Sequence, residues 1–147
     1  MQITEPNKKE LLEAIEIAKT LKDWFNDEAI KNLKVDFEHN TVVIAKDKEE
    51  VVGFMCYTTN CGRTLLIWLG AKKGSKGVGQ ALIDWLVVKS KELGMYTIEL
   101  ETLPEEEEYE PYVKTREFYY KNGFKRIAYR EATIEGWDDQ MVLEKKI

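Results

Sequence analysis

Metal ligands are scarce in this chain, which has one histidine, His39, and two cysteines, Cys56 and Cys61. One imidazole and two thiols leave no zinc set, so no metal is expected, and two free thiols are the default of a reducing compartment. No apolar run reaches the roughly eighteen residues of a membrane span. The opening Met1-Gln2-Ile3-Thr4-Glu5-Pro6 has none of the marks of a signal peptide, so a cytoplasmic protein without a membrane partner is expected. An excess of basic charge is also missing. With 22 Lys and Arg against 27 Asp and Glu, the formal charge is −5, which argues against a nucleic-acid partner. What remains is an ordinary globular composition, 44% hydrophobic and 11% aromatic over 147 residues. That length gives a full core without covalent staples, so residues 1–147 are read as a single domain.

Apolar periodicity predicts alternating elements with short connections. Leu11, Leu12, Ile15 and Ala18 mark a helix over 7–20, and Asn26 can cap a second that carries Ala29, Ile30, Leu33 and Phe37. Thr41–Ala45 and Val51–Thr58 read as a hairpin around Asp47-Lys48-Glu49-Glu50. Thr64–Ala71 is a continuous apolar run, the pattern of a buried central strand. Val78, Leu82, Trp85, Leu86 and Leu93 then recur at helical spacing up to Gly94. Over 96–102, Tyr96, Ile98, Leu100 and Thr102 alternate with Thr97, Glu99 and Glu101. An acidic loop at 104–111 leads into a helix over 112–122, and strands near 125–133 and 140–146 close the chain. The sum is one mixed α/β domain with a mostly antiparallel sheet.

The most informative segment lies between the 64–71 strand and the helix after it: Gly74-Ser75-Lys76-Gly77-Val78-Gly79-Gln80. A strand, a Gly-rich turn and a helix N-terminus gather backbone N–H groups around one point, an anion site suited to phosphate. Gly74 and Gly79 have P-loop spacing, but Gln80 and Ala81 stand where lysine and a hydroxyl residue are required, which argues against nucleotide hydrolysis. A dinucleotide fingerprint needs a third glycine where Leu82 stands, although Glu99 and Glu101 follow about twenty residues on and keep that reading open. A turn with no ligand is the remaining alternative. Glycine loses the most backbone freedom on folding, so three within Gly74–Gly79 are more than a connector needs.

Three features together resemble the GNAT superfamily of acyl-CoA N-acyltransferases. Gly77-Val78-Gly79 match the end of its Q/R-x-x-G-x-G/A phosphate motif. Phe118-Tyr119, followed by Gly123-Phe124, match its F-Y-x-x-x-G-F helix ending, and Val51-Val52-Gly53-Phe54 resembles its early strands. The element order agrees over essentially the whole chain. The departures are Gly74 at the Gln/Arg position, a strand-to-helix loop about two residues shorter than is common, and Tyr112 where an asparagine is often found.

The resemblance implies six or seven strands, about four helices, a splayed central strand pair and acetyl-CoA as co-substrate. The pyrophosphate would lie on the N–H groups from Ser75 to Gly79, a cofactor segment running Gly74, Ser75, Lys76, Gly77, Val78, Gly79 and Gln80. The pantetheine would follow the strand edge at Leu69, Gly70 and Ala71, with a bulge at Gly70. Tyr119 would give a proton to the departing thiolate, with Tyr120 on the outer side. Holding a lysine-like amine of pKa about 10.4 neutral at pH 7 costs about 4.6 kcal/mol, so a carboxylate base is expected, and Glu99 and Glu101 are its candidates. Both also read as ordinary charges on an exposed strand face.

The resemblance implies an acceptor that is a primary amine of a small molecule or peptide. Glu105–Glu108 and Glu110 could draw it, or simply form a solvated loop. Trp24, Phe25 and Trp137 could line its pocket, and Lys76 and Arg116 could meet CoA phosphates. A homodimer is possible within the family, and a non-catalytic acyl-CoA-binding regulatory domain is the alternative function.

Overall fold

In the computed structural model, which describes residues 1–147, all seven strands belong to one sheet. The chain runs β1 (Gln2–Thr4), α1 (Lys8–Thr20), α2 (Asp27–His39), β2 (Thr41–Asp47), β3 (Glu50–Asn60), β4 (Arg63–Ala71) and α3 (Val78–Glu92). It continues through β5 (Thr97–Thr102), α4 (Pro111–Lys121), β6 (Lys125–Arg130) and β7 (Gln140–Lys146). The spatial order is β1-β2-β3-β4-β5-β7-β6, antiparallel throughout except for β4 and β5. The mixed sheet, its strand count and its four helices agree with the expected fold class.

Local chemistry sets the helix starts. Asn7 and Glu10 form a capping box, each side chain accepting from the other's backbone N–H at 2.8 and 3.0 Å. Asn26 caps α2 through the Ala29 N–H at 2.8 Å, as its position suggests. Pro111 opens α4, where a missing N–H is harmless.

Two cores form, one on each face of the sheet. Ala14 and Ala18 of α1 and Leu33 and Phe37 of α2 pack on Ile44, Phe54 and Cys56. On the opposite face, Leu82, Ile83 and Leu86 of α3 and Tyr119 of α4 pack on Met55, Ile98, Met141 and Leu143. Strand β3 alternates between the two cores and is buried on both sides, which explains its unbroken apolar sequence.

Several boundaries differ from the sequence reading. The β2–β3 turn is only Lys48-Glu49, because Asp47 still pairs with Glu50. Strand β6 ends at Arg130, short of Thr133. Tyr96 precedes β5 and is 76% exposed, its N–H donating to the Gly62 carbonyl at 2.7 Å. The three-residue strand β1 is an addition, too short to show a period.

The bulge of β4 is at Ile67. Cys56 pairs with Trp68 and Tyr57 with Leu66, which leaves Ile67 as the extra residue. Gly70 has a different reason. A Cβ there would sit 2.4 Å from Cζ of the buried Phe54, so glycine admits the ring beneath the strand. The parallel pairing of β4 with β5 stops at Leu66 and Leu100, next to the bulge. Beyond that point β4 turns away while β5 stays paired to β7 as far as Thr102. A wedge opens between the two strands.

Candidate active site

The wedge is the floor of a cleft of about 1630 Å³. Of the ten cofactor positions named from sequence, Leu69, Gly70, Ala71, Gly74, Ser75, Gly77, Val78, Gly79 and Gln80 line it. Lys76 is exposed and lies outside the lining. Tyr119, Glu99 and Glu101 line the same cleft, so the catalytic candidates and the glycine loop are brought together.

The loop end gathers unpaired backbone N–H groups at the start of α3. Gly77 caps α3 in the left-handed region at φ 74°, and no side chain caps the helix. The Ala81 N–H returns to the Gly77 carbonyl at 3.0 Å, but the N–H groups of Val78, Gly79 and Gln80 precede the helical ladder and have no acceptor in the chain. They carry the positive end of the helix dipole. A Cβ at Gly74 or Gly77 would meet nothing within 4 Å, so positive φ and an open approach, rather than packing, require glycine there. At Gly53 a Cβ would come within 2.4 Å of Val78 Cγ1, so the start of α3 rests directly on β3.

The two acidic candidates are each held by an arginine. Arg63 Nη1 donates to Glu99 at 3.0 Å, and Arg130 Nη1 lies 2.8 Å from Glu101. The Glu99 carboxylate is the better shielded, its side chain 12% exposed against 43% for Glu101. The Tyr119 side chain is deeply set between the rings of Phe118 and Phe124, whose centroids lie 5.4 and 5.6 Å away. Burial, aided by the nearby Tyr112, raises its phenol above the ordinary range. Its hydroxyl has no partner in the chain, yet Thr97 Oγ1 is the only fully enclosed polar side-chain atom without one. The Tyr119 oxygen therefore keeps access to the cleft.

Other candidates fall differently. Arg116 is buried and donates to the Leu103 and Pro104 carbonyls at 3.0 and 3.4 Å, with Glu105 at 3.6 Å. It pins the β5–α4 connection and is not a phosphate ligand. In the acidic loop, Glu105 accepts from Tyr120 at 2.7 Å, and Glu106 grips Arg126 with two bonds of 2.8 and 2.7 Å. That arginine holds the Glu106 carboxyl down at about 2. Two of the five carboxylates thus serve as internal ties. Tyr120 is 40% exposed, on the outer side as expected.

Trp24, Phe25 and Trp137 all line the cleft, in unlike ways. Phe25 is core, Trp24 donates to Thr115 Oγ1 at 3.1 Å, and Trp137 is 54% exposed. Nothing in the local sequence marks Arg63 and Arg130, which lie far along the chain from their partners Glu99 and Glu101. Tyr112, which stands at the family's asparagine position two helical turns before Tyr119 on one face of α4, also lines the cleft. No helix is long and apolar enough to cross a membrane.

A family model described as an acetyltransferase (GNAT) domain matches residues 38–126, more than half of the chain. The chain belongs to the GNAT acetyltransferase family. No curated protein matches its sequence. Among solved structures, the GNAT fold is shared with the ribosomal-protein-alanine N-acetyltransferase of Brucella melitensis, at 14% identity and TM-score 0.75 over 100% of both chains. A Bacillus subtilis acetyltransferase in complex with CoA matches at 19% identity and TM-score 0.72, covering 99% of this chain and 97% of that one. The aminoglycoside 6'-N-acetyltransferase of Enterococcus faecium gives 22%, 0.67 and the same coverage.

For this GNAT chain, Gly77→Ala is expected to lower stability by about 1 kcal/mol, from placing a Cβ at positive φ. If these N–H groups hold the acetyl-CoA pyrophosphate, as proposed below, the same change turns them off their aim and should weaken that binding about tenfold. Titration calorimetry and denaturant melts measure the two effects. Unchanged affinity in a folded variant removes the cradle from the binding site.

Proposed function

We propose that the chain is an N-acetyltransferase that moves an acetyl group from acetyl-CoA to a primary amine by direct attack. The observation that carries this reading is one cleft holding three things: a helix N-terminus with unpaired N–H groups, a strand edge freed from its neighbour, and an accessible Tyr119 hydroxyl. The N–H groups of Val78, Gly79 and Gln80 receive the pyrophosphate. Beyond the Ile67 bulge, the β4 edge offers backbone groups to the pantetheine amides, and an N–H near Leu69 polarises the thioester carbonyl. Glu99 or Glu101 takes the amine proton, directly or through water, and the amine nitrogen bonds to the carbonyl carbon as the C–S bond breaks. Tyr119 protonates the departing thiolate. We take residues 1–147 as one unit for this chemistry.

The acceptor is proposed as a small-molecule or peptide amine, the class that includes the aminoglycoside and ribosomal-protein acceptors named for two structural neighbours. A second reading, an acyl-CoA-binding regulatory domain, is favoured by the arginines that occupy Glu99 and Glu101. Thermal melts with CoA, acetyl-CoA, ATP and NAD, followed by thiol release across a panel of amines, test both. At a hundredfold excess over Kd, acetyl-CoA is expected to raise Tm by roughly 5–10 °C, with no response to ATP or NAD. A shift without thiol release on any amine supports the regulatory domain. No shift with acetyl-CoA removes both readings.

A further inference from the structure

The ends of α3 and α4 are joined by a reciprocal amide pair. Gln80 Nε2 donates to Asn122 Oδ1 at 2.7 Å, and Asn122 Nδ2 donates back to Gln80 Oε1 at 3.1 Å. Gln80 lies in the first turn of α3, within the row of free N–H groups. Asn122 ends α4, three residues after Tyr119. Both side chains are oriented by further bonds. Gln80 Nε2 also donates to Asp84 one turn on, at 2.8 Å, and Asn122 Nδ2 to the Phe118 carbonyl at 2.9 Å.

The peptide around Tyr119 is fixed from the same side. Its carbonyl accepts from the N–H groups of Asn122 and Phe124, each at 3.1 Å. Lys145 Nζ donates to the Asn122 carbonyl at 2.6 Å and ties this point to β7. A second contact runs parallel to the amide pair. A Cβ on Gly79 would lie 3.4 Å from the Phe118 ring, so the two helix ends already meet closely.

We propose that the Gln80–Asn122 pair is a positioning clasp, which sets the Tyr119 hydroxyl relative to the anion cradle at the start of α3. The inference rests on the acetyl-CoA reading above. One extended donor molecule must reach the cradle with its pyrophosphate and Tyr119 with its sulfur. The span between those points is fixed by the ligand, so the protein must hold its own span to match. A pair of amides, each giving and taking one hydrogen bond, mates in a single offset and supplies that constraint. Gln80 thus acts twice, binding through its backbone N–H and aligning through its side chain.

The test combines calorimetry with CoA, amide hydrogen exchange with and without CoA, and turnover on an accepted amine. In the native chain, CoA is expected to slow exchange at the Asn122 and Phe124 amides. In Gln80→Ala, CoA is expected to bind within about threefold of the native affinity while that slowing is lost. kcat is expected to fall about tenfold, as for a modest misplacement of a reacting group. On a Tyr119→Phe background, Gln80→Ala is expected to lower kcat no further, an outcome that a merely structural role does not give. The exchanged pair Gln80→Asn with Asn122→Gln is expected to restore the slowing. Retained slowing in Gln80→Ala overturns the clasp, and so does a full multiplicative loss on the Tyr119→Phe background. Absence of CoA binding to the native chain is a distinct failure, which removes the donor reading and the clasp together.

Discussion

Tyr119→Phe is expected to lower kcat by about 10²-fold or more, the scale of a lost general acid, and to leave the affinity for acetyl-CoA nearly unchanged. The substitution removes one oxygen that has no partner in the folded chain. The aromatic ring stays between Phe118 and Phe124, so the melting temperature is expected to hold. Burial raises the phenol above its usual value, which keeps it protonated through the neutral range where the proposed acid would donate. A higher pKa also makes it a weaker acid. In the proposed reaction the thiolate would leave beside this buried phenol, and any burial there raises a thiol in the same sense, which would offset part of the difference.

The pH dependence follows from that direction. Because the folded pKa lies above the unfolded value of about 10, Tyr119 keeps its proton in the native state after the unfolded chain begins to lose it. Its effect on stability is absent below about pH 10, and the fold loses stability as pH rises beyond that point. Any acidic limb of kcat belongs to the amine or its base and should persist in Tyr119→Phe. A kcat within about threefold of native, on an amine that turns over well, ends the assignment of Tyr119 as the acid.

The features legible in the sequence were those written in local patterns. The glycine loop, its flanking strand and helix, and Phe118-Tyr119 with Gly123-Phe124 each occupy a few consecutive turns. Their patterns mark the elements, and the structure brings the glycine loop, Phe118 and Tyr119 to one cleft, with Phe124 in the core behind Tyr119. What stayed hidden depends on partners distant in the chain. Glu99 meets Arg63 across the β4–β5 pairing, and Glu101 meets Arg130 from β6, so neither is the free carboxylate its strand position suggested. Arg116 shows the same limit: from sequence its guanidinium could meet a CoA phosphate, whereas in the fold it donates to two main-chain carbonyls. The bulge position is hidden for a related reason. Glycine at position 70 marks a close approach by a ring from the neighbouring strand, whereas the inserted residue is Ile67, which carries no such local mark.

That close approach supports the largest expected effect on stability. Phe54 is fully buried on β3, its ring 6.0 Å from Phe25 and 5.8 Å from Phe37, with Gly70 of β4 against it. Phe54→Ala is expected to cost about 3–5 kcal/mol, combining lost transfer energy with the cavity left behind. For a chain of this size that is a fall in Tm of roughly 10 °C, measurable by calorimetry. Gly70→Ala alone places a Cβ 2.4 Å from Phe54 Cζ and is expected to cost about 1–3 kcal/mol by overpacking. The two changes should not add. With the ring removed, the new methyl at position 70 enters the cavity, and the double variant should be more stable than the sum of the singles by about 1 kcal/mol or more. Strictly additive losses mean that Phe54 and Gly70 are not in contact in solution. Gly70 also lines the cleft, so if acetyl-CoA binds there as proposed, Phe54→Ala should weaken that binding even in the folded fraction, because the β4 edge loses the support beneath it. The same glycine thus ties the aromatic core to the donor edge, and a purely apolar substitution in β3 becomes a test of how the cleft is held open.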